Sequence, residues 1–176
     1  MRVLETGRLC LRHFDRADAP FILELLNEPS WLQHIGDKGI KTLSDAERYI
    51  QEGPVTMYAR RGFGLYLVEL TGSGESAGMC GLIKRDTLED VDLGFAFLLR
   101  FCGNGYAYES ATAAMAYAKL RLGIDRIVAI TSRNNQTSIK LLRKLRFTLE
   151  RSISATGGGQ DLMLYSIASP SSNGPS

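Results

Sequence analysis

Residues 92 to 131 constrain the fold more than any other stretch of the chain. The apolar run Asp92-Leu93-Gly94-Phe95-Ala96-Phe97-Leu98-Leu99 leads into Arg100-Phe101-Cys102-Gly103-Asn104-Gly105. The alanine-rich segment Tyr106 to Leu122 comes next, then a second apolar run, Arg126-Ile127-Val128-Ala129-Ile130-Thr131. The two runs read as strands and the segment between them as a helix, with Ala111, Met115, Ala118 and Leu122 on one face and Gly123 at its C-terminal cap. A strand, helix, strand crossover favours parallel pairing of the two strands. Gly103 and Gly105 permit backbone conformations closed to other residues, and they sit where the free N–H groups and dipole of a helix N-terminus attract an anion. Read alone, this loop is equally well an ordinary tight turn.

The 176 residues suit one domain with a substantial core, set at residues 1–168, with the Ser/Pro/Gly/Asn tail 169–176 expected to be disordered. Apolar residues at 44% and charged residues at 23% are the balance of a globular protein. A formal net charge of +2 gives no support to a nucleic-acid partner bound by bulk electrostatics. No apolar run approaches the ~18 residues of a membrane span, and no targeting segment is expected. Cys10, Cys80 and Cys102 are odd in number and lack metal-ligand spacing, so the expectation is reduced thiols, no metal and a cytoplasmic protein. Monomer and homodimer stay open.

Around the crossover the sequence predicts seven strands and about four helices. The alternation in Arg8 to Phe14 gives a first strand, and Asp15 begins a helix that Asn27-Glu28-Pro29 stops. Residues 30 to 43 read as a loop with a short helix near Trp31 to Gln33. Ser44 and Glu47 form a capping box for a second helix, ended by Gly53-Pro54. Residues 62–70 and 78–84 form a hairpin. Asn135 caps a helix carrying Ile139, Leu142 and Leu145, and residues 147–153 and 161–167 close a last hairpin with a flexible tip.

Three local motifs in this order carry a family resemblance over roughly residues 4 to 167. Arg100 to Gly105 fits Q/R-x-x-G-x-G/A, the acetyl-CoA pyrophosphate loop of the GNAT N-acetyltransferase superfamily. Asn135-Gln136-Thr137-Ser138 with Leu142, Lys144 and Phe147 resembles its N-x-x-S...L-x-K-x-G-F segment. Leu4-Glu5-Thr6-Gly7-Arg8-Leu9-Cys10-Leu11-Arg12 resembles the opening of the branch containing the ribosomal-protein-alanine N-acetyltransferases. Arg146 departs from the pattern, standing where the family usually has Gly, and Cys102 replaces a frequent Trp or Gln.

The resemblance implies an α/β (α+β) fold with a mixed, mostly antiparallel sheet and a V-shaped split between the fourth and fifth strands. Acetyl-CoA would lie in that split as cosubstrate, with main-chain groups of Phe97, Leu98 and Leu99 along its pantetheine arm. Its pyrophosphate would sit at Arg100, Cys102, Gly103, Asn104, Gly105, Tyr106 and Ala107, and Asn135 and Ser138 would meet the pantetheine and the sulfur. The partner would be an amine acceptor, either a small molecule or a protein N-terminus.

Amine acylation needs a neutral amine, so a carboxylate is expected near it. Asp92 is the first candidate. Its competing reading is an exposed strand residue paired with Arg85 or Arg133. The tyrosine that many superfamily members use to protonate the thiolate is missing, because none occurs between Tyr117 and Tyr165; Ser138 is the substitute. Trp31 and the loop at 34 to 39 are candidates for the acceptor wall, whereas His13 and His34 read as structural or exposed. A non-catalytic acyl-CoA-binding module is the alternative function. A P-loop nucleotide site is weak, as no Lys-Ser/Thr follows the glycines.

Overall fold

A computed structural model describes residues 1–154 and 161–168. The crossover forms as the sequence predicts: β5 (Val91–Phe97), a glycine loop, α5 (Tyr106–Leu122) and β6 (Arg126–Ser132). Helix α5 begins and ends on left-handed glycines, Gly105 and Gly123, and lays Ala111, Ala114 and Ala118, all fully buried, against the sheet. These small side chains let the helix axis approach the strands closely.

The sheet is mixed, with order β1-β2-β3-β4-β5-β6-β8-β7. Its other members are β1 (Arg2–Glu5), β2 (Leu9–Arg12), β3 (Leu65–Leu70), β4 (Ser76–Ile83), β7 (Thr148–Ile153) and β8 (Leu162–Ala168). Every neighbouring pair is antiparallel except β5 with β6. That parallel contact is short: only Val91 with Ile127 and Asp92 with Val128 are in register. Beyond Asp92 the strands part, which opens the V between the expected fourth and fifth strands. Eight strands replace the expected seven, because β1 holds only Val3 and Leu4 as apolar residues and shows no alternation to read; pairing with β2 makes it a strand.

Six α-helices, rather than about four, stand among the described residues: α1 (Ala19–Leu25), α2 (Pro29–His34), α3 (Leu43–Ile50), α4 (Thr56–Arg61), α5 and α6 (Gln136–Lys144). Pro29 does not end a helix; it opens α2 in the first turn, where its missing N–H costs nothing. Nor does Gly53-Pro54 terminate α3. Residues 51–55 form a wide π turn that accommodates Pro54, and Thr56 Oγ1 donates to Gln51 O at 2.7 Å as α4 begins. The capping box of α3 is Thr42 with Asp45, not Ser44 with Glu47, one local signal having lost to a neighbour two residues away. The flexible tip expected between β7 and β8, and the expected disordered tail, lie outside the described residues.

The two sheet faces are covered differently. One core cluster joins Leu9, Tyr66, Cys80, Leu93 and Phe147 to α5 and α6, and the other joins Leu67, Met79 and Leu98 to α1, α2 and α3. The split β5/β6 edge therefore opens between two helical layers.

The departure at Arg146 is absorbed with strain. Arg146 takes the left-handed conformation, φ 71°, and the helix still closes with Arg146 N–H donating to Arg143 O and Phe147 N–H to Leu142 O. This is the paired bonding of a Schellman cap, with Leu142 and Phe147 in one core cluster. A Cβ in this region costs about 1–2 kcal/mol, part of which the greater unfolded freedom of glycine cancels. Arg146→Gly is accordingly expected to raise Tm by about 2–4 °C per kcal/mol gained, checked by thermal unfolding. A lower Tm means the arginine makes an offsetting contact.

Candidate active site

The glycine loop is fixed from the far end of the sheet. The turn between β1 and β2 reaches Glu109 in the first turn of α5: Thr6 Oγ1 donates to Glu109 Oε1 at 2.5 Å, and Arg8 Nε to Oε2 at 2.7 Å. Arg8 Nη1 also donates to Asn104 O at 3.0 Å, and its guanidinium lies over the Tyr106 ring. Asn104 Nδ2 donates to Phe101 O and Cys102 O. Three of the loop's carbonyls are thus engaged, while the main-chain N–H groups of Gly103, Asn104, Gly105, Tyr106 and Ala107 find no acceptor among the described residues. Cys102 differs, because its N–H already donates to Leu99 O at 3.0 Å. Arg100 is engaged with Glu24 of α1.

Beyond Asp92 the free edge of β5 is available. Leu98 N–H donates to Ala77 O of β4, so by strand alternation Phe97 turns its main-chain groups toward the split. On the facing side Asn135 caps α6, accepting from Ser138 N–H at 3.1 Å.

A cavity of about 490 Å³ runs through the split. Asn135 and Ser138 line it from the α6 layer; Trp31, His34, Tyr49 and Met57 line it from the α2 to α4 layer; Arg85, Asp92, Phe95 and Ser132 lie between. Residues 97 to 107 do not reach it, so the glycine loop is a separate platform beside the cavity.

Asp92 sits where β5 and β6 part, at 1% exposure. It is paired with Arg85, whose Nε donates to Oδ2 at 2.6 Å, yet it is buried rather than exposed. Its other oxygen, Oδ1, has no hydrogen-bond partner. Burial pushes the Asp92 carboxyl above its ordinary value, and Arg85, with a smaller pull from the nearby Ile130 main chain, offsets this only in part. Trp31 Nε1 is likewise buried without a partner. Burial raises the hydroxyl of Tyr49 too, against the pull of Arg85.

His34, expected to be structural or exposed, lines the cavity with Nδ1 3.4 Å from Ser132 Oγ. It opens the 34 to 39 loop expected to wall the acceptor side, while its contact with Ser132, 98 residues away, is linked by no local pattern. Cys102 is exposed, and burial of its sulfur together with Glu28 holds the thiol above its usual pKa, away from the thiolate a covalent nucleophile needs. No helix of the described residues is long and apolar enough to cross a membrane, and no cluster of three metal-ligating side chains occurs among them.

The acetyltransferase (GNAT) domain family matches residues 8–148. The chain belongs to this family. Among curated relatives, the uncharacterized N-acetyltransferase YoaA of Bacillus subtilis (strain 168) is 25% identical over 173 residues, covering 96% of this chain and 97% of that protein. The fold matches RimL, a ribosomal L7/L12 α-N-protein acetyltransferase solved in complex with coenzyme A, with a TM-score of 0.81 at 22% identity over 96% of this chain and 98% of that one. It also matches the Salmonella typhimurium acetyl transferase that modifies the N-terminal serine of L7/L12, with a TM-score of 0.80 at 21% identity over 96% and 99%. The eight-stranded sheet and its single parallel split are thus those of a GNAT acetyltransferase. Of the residues predicted from the sequence, this GNAT domain brings Asp92, Asn135 and Ser138 onto one cavity, whereas Phe97 to Ala107 do not line it.

Proposed function

We propose that this chain transfers acetyl from acetyl-CoA to a primary amine, of a small molecule or a protein N-terminus, by direct attack in a ternary complex. The observation that carries this reading is the continuous cavity through the split. It puts Asn135, Ser138, Asp92, His34 and Arg85 on the walls of a single space. Transfer without a covalent enzyme intermediate requires donor and acceptor to meet in one such space.

The donor suits the residues that would hold it. Five unpaired N–H groups from Gly103 to Ala107, at the N-terminus of the 17-residue α5, form an anion cradle for the pyrophosphate. Phe97 offers main-chain groups to the pantetheine amides, and Asn135, its Oδ1 already capping α6, keeps Nδ2 for them. Bound there, acetyl-CoA supplies the activated acyl group. Asp92 takes the proton of the attacking amine, its raised pKa bringing it nearer the operating pH of a general base. The amine nitrogen forms a bond to the carbonyl carbon, the carbon–sulfur bond breaks, and Ser138 hydrogen-bonds the departing thiolate. Cys102 contributes its position in the loop but not its amide.

Release of free CoA thiol tests this. With acetyl-CoA and a panel of amines and N-terminal peptides, at least one acceptor is expected to release thiol at a rate proportional to enzyme. Tight acetyl-CoA binding with no turnover on any acceptor shows a non-catalytic binding module instead.

A further inference from the structure

The charges lining the cavity bear on the acceptor. Four lining residues are titratable side chains of ordinary acid or base type: His34, Lys38, Arg85 and Asp92. Asp92 is the single acid among them, and Arg85 already neutralises it. Arg85 spends only Nε on that bond. Its Nη1 and Nη2 have no hydrogen-bond partner among the described residues, and the side chain is 41% exposed. Lys38 makes no ion pair among the described residues. Its neighbour Asp37 is turned elsewhere, accepting from Gly39 N–H at 2.8 Å and pairing with Lys41 at 3.1 Å. The cavity therefore presents two cations with open donors and one compensated anion. A bare ammonium entering alone meets net positive charge.

We propose, resting on the transferase reading above, that the acceptor carries a carboxylate a few bonds from its amino group, beside an apolar body. The Asp92–Arg85 pair is the charge complement of an ammonium and carboxylate held side by side. Asp92 meets the ammonium, whereas the guanidinium fork of Arg85 meets the carboxylate in the planar geometry that arginine favours, and Lys38 adds a second cation to the same cavity. Trp31, Ile35, Met57, Leu65 and Met79 supply an apolar wall for the remainder. A free amino acid with an apolar side chain has this chemistry. A peptide whose first residue is Asp or Glu supplies the same carboxylate from its side chain, whereas an ordinary N-terminus has converted its carboxylate to an amide.

The experiment compares kcat/KM for L-leucine, isopentylamine, L-leucinamide and peptides beginning with Asp, Glu or Leu, with acetyl-CoA binding measured separately by calorimetry. Carboxylate-bearing acceptors are expected to exceed their uncharged counterparts by about tenfold or more. Lys38→Glu, on an exposed loop and checked for an unchanged Tm, is expected to collapse that ratio toward one or invert it. Acetylation of the Asp or Glu peptides but not of leucine supports the carboxylate requirement and assigns its source to a peptide. Equal or faster reaction of isopentylamine or leucinamide overturns the inference. Acetyl-CoA binding with no acceptor used overturns it as well while leaving the donor site standing; failure of acetyl-CoA to bind overturns the functional reading and this inference together.

Discussion

Asp92→Asn is expected to slow acetyl transfer by about 10²–10⁴-fold, the range for loss of a general base, while leaving acetyl-CoA affinity and the fold intact. Asparagine keeps the shape of the side chain and can still accept a hydrogen bond from Arg85 Nε. What it removes is a carboxylate at 1% exposure with one oxygen unpartnered. Because burial outweighs Arg85, the folded-state pKa of Asp92 lies above its unfolded value of about 3.9. A group shifted in that direction contributes stability that is fully present below the unfolded pKa and is lost as pH rises through the folded pKa. At neutral pH the ionised carboxylate is therefore a net cost, and the asparagine variant is expected to melt at or above the parent. That advantage should shrink as pH falls toward 4. Arg85, with 41% of its side chain exposed, returns to water at little cost. Thiol-release rates and Tm measured across this pH range check both halves. A full rate at neutral pH removes Asp92 as base, and a Tm many degrees lower makes it a structural anchor.

The combination of lost rate and retained stability would separate two roles that the sequence leaves open together. Asp92 reads equally as a catalytic carboxylate or as a strand residue paired with Arg85, and the structure makes the pair real without making it superficial. Its burial arises where β5 and β6 part, and that point depends on the length of the parallel register, two residue pairs, which no local pattern encodes. His34 is the same problem in stronger form, since α2 brings it to Ser132 only after the whole sheet has assembled. Segments governed by local rules were legible. Helix α5 matches Tyr106 to Leu122 because its glycines and alanine stripe act over one to four residues, and Asn135 caps α6 because Ser138 N–H lies three residues away. Two local signals competed at Thr42 and Ser44, and a wide turn absorbed the proline at Pro54, so a stop or start signal alone did not fix the helix ends there. Strand β1 depends on β2 and was invisible without it.

Gly105→Val is expected to weaken acetyl-CoA binding by about tenfold or more, equivalent to at least about 1.4 kcal/mol. Gly105 caps α5 at φ 81°, so a branched side chain there carries the left-handed cost of about 1–2 kcal/mol whatever space surrounds it. The added Cβ would also stand 3.4 Å from Arg8 Nη2, in the guanidinium that holds Asn104 O and Glu109. Relief of that strain rotates the amides of Gly103 to Ala107 out of a common direction, and a cradle of N–H groups works only while they converge. Backbone strain alone also lowers Tm, so the variant needs a partner with the same strain and no ligand role. Gly123→Val is that partner: Gly123 is left-handed at φ 64°, at the opposite end of the same helix, with nothing within 4 Å of an added Cβ. Both variants are expected to melt a few degrees lower, at about 2–4 °C per kcal/mol for a chain of this size. Only Gly105→Val is expected to lose affinity by calorimetry. Equal affinities in the two would mean that the pyrophosphate does not rest on the start of α5, and that Arg8 and Glu109 fix this loop for stability alone.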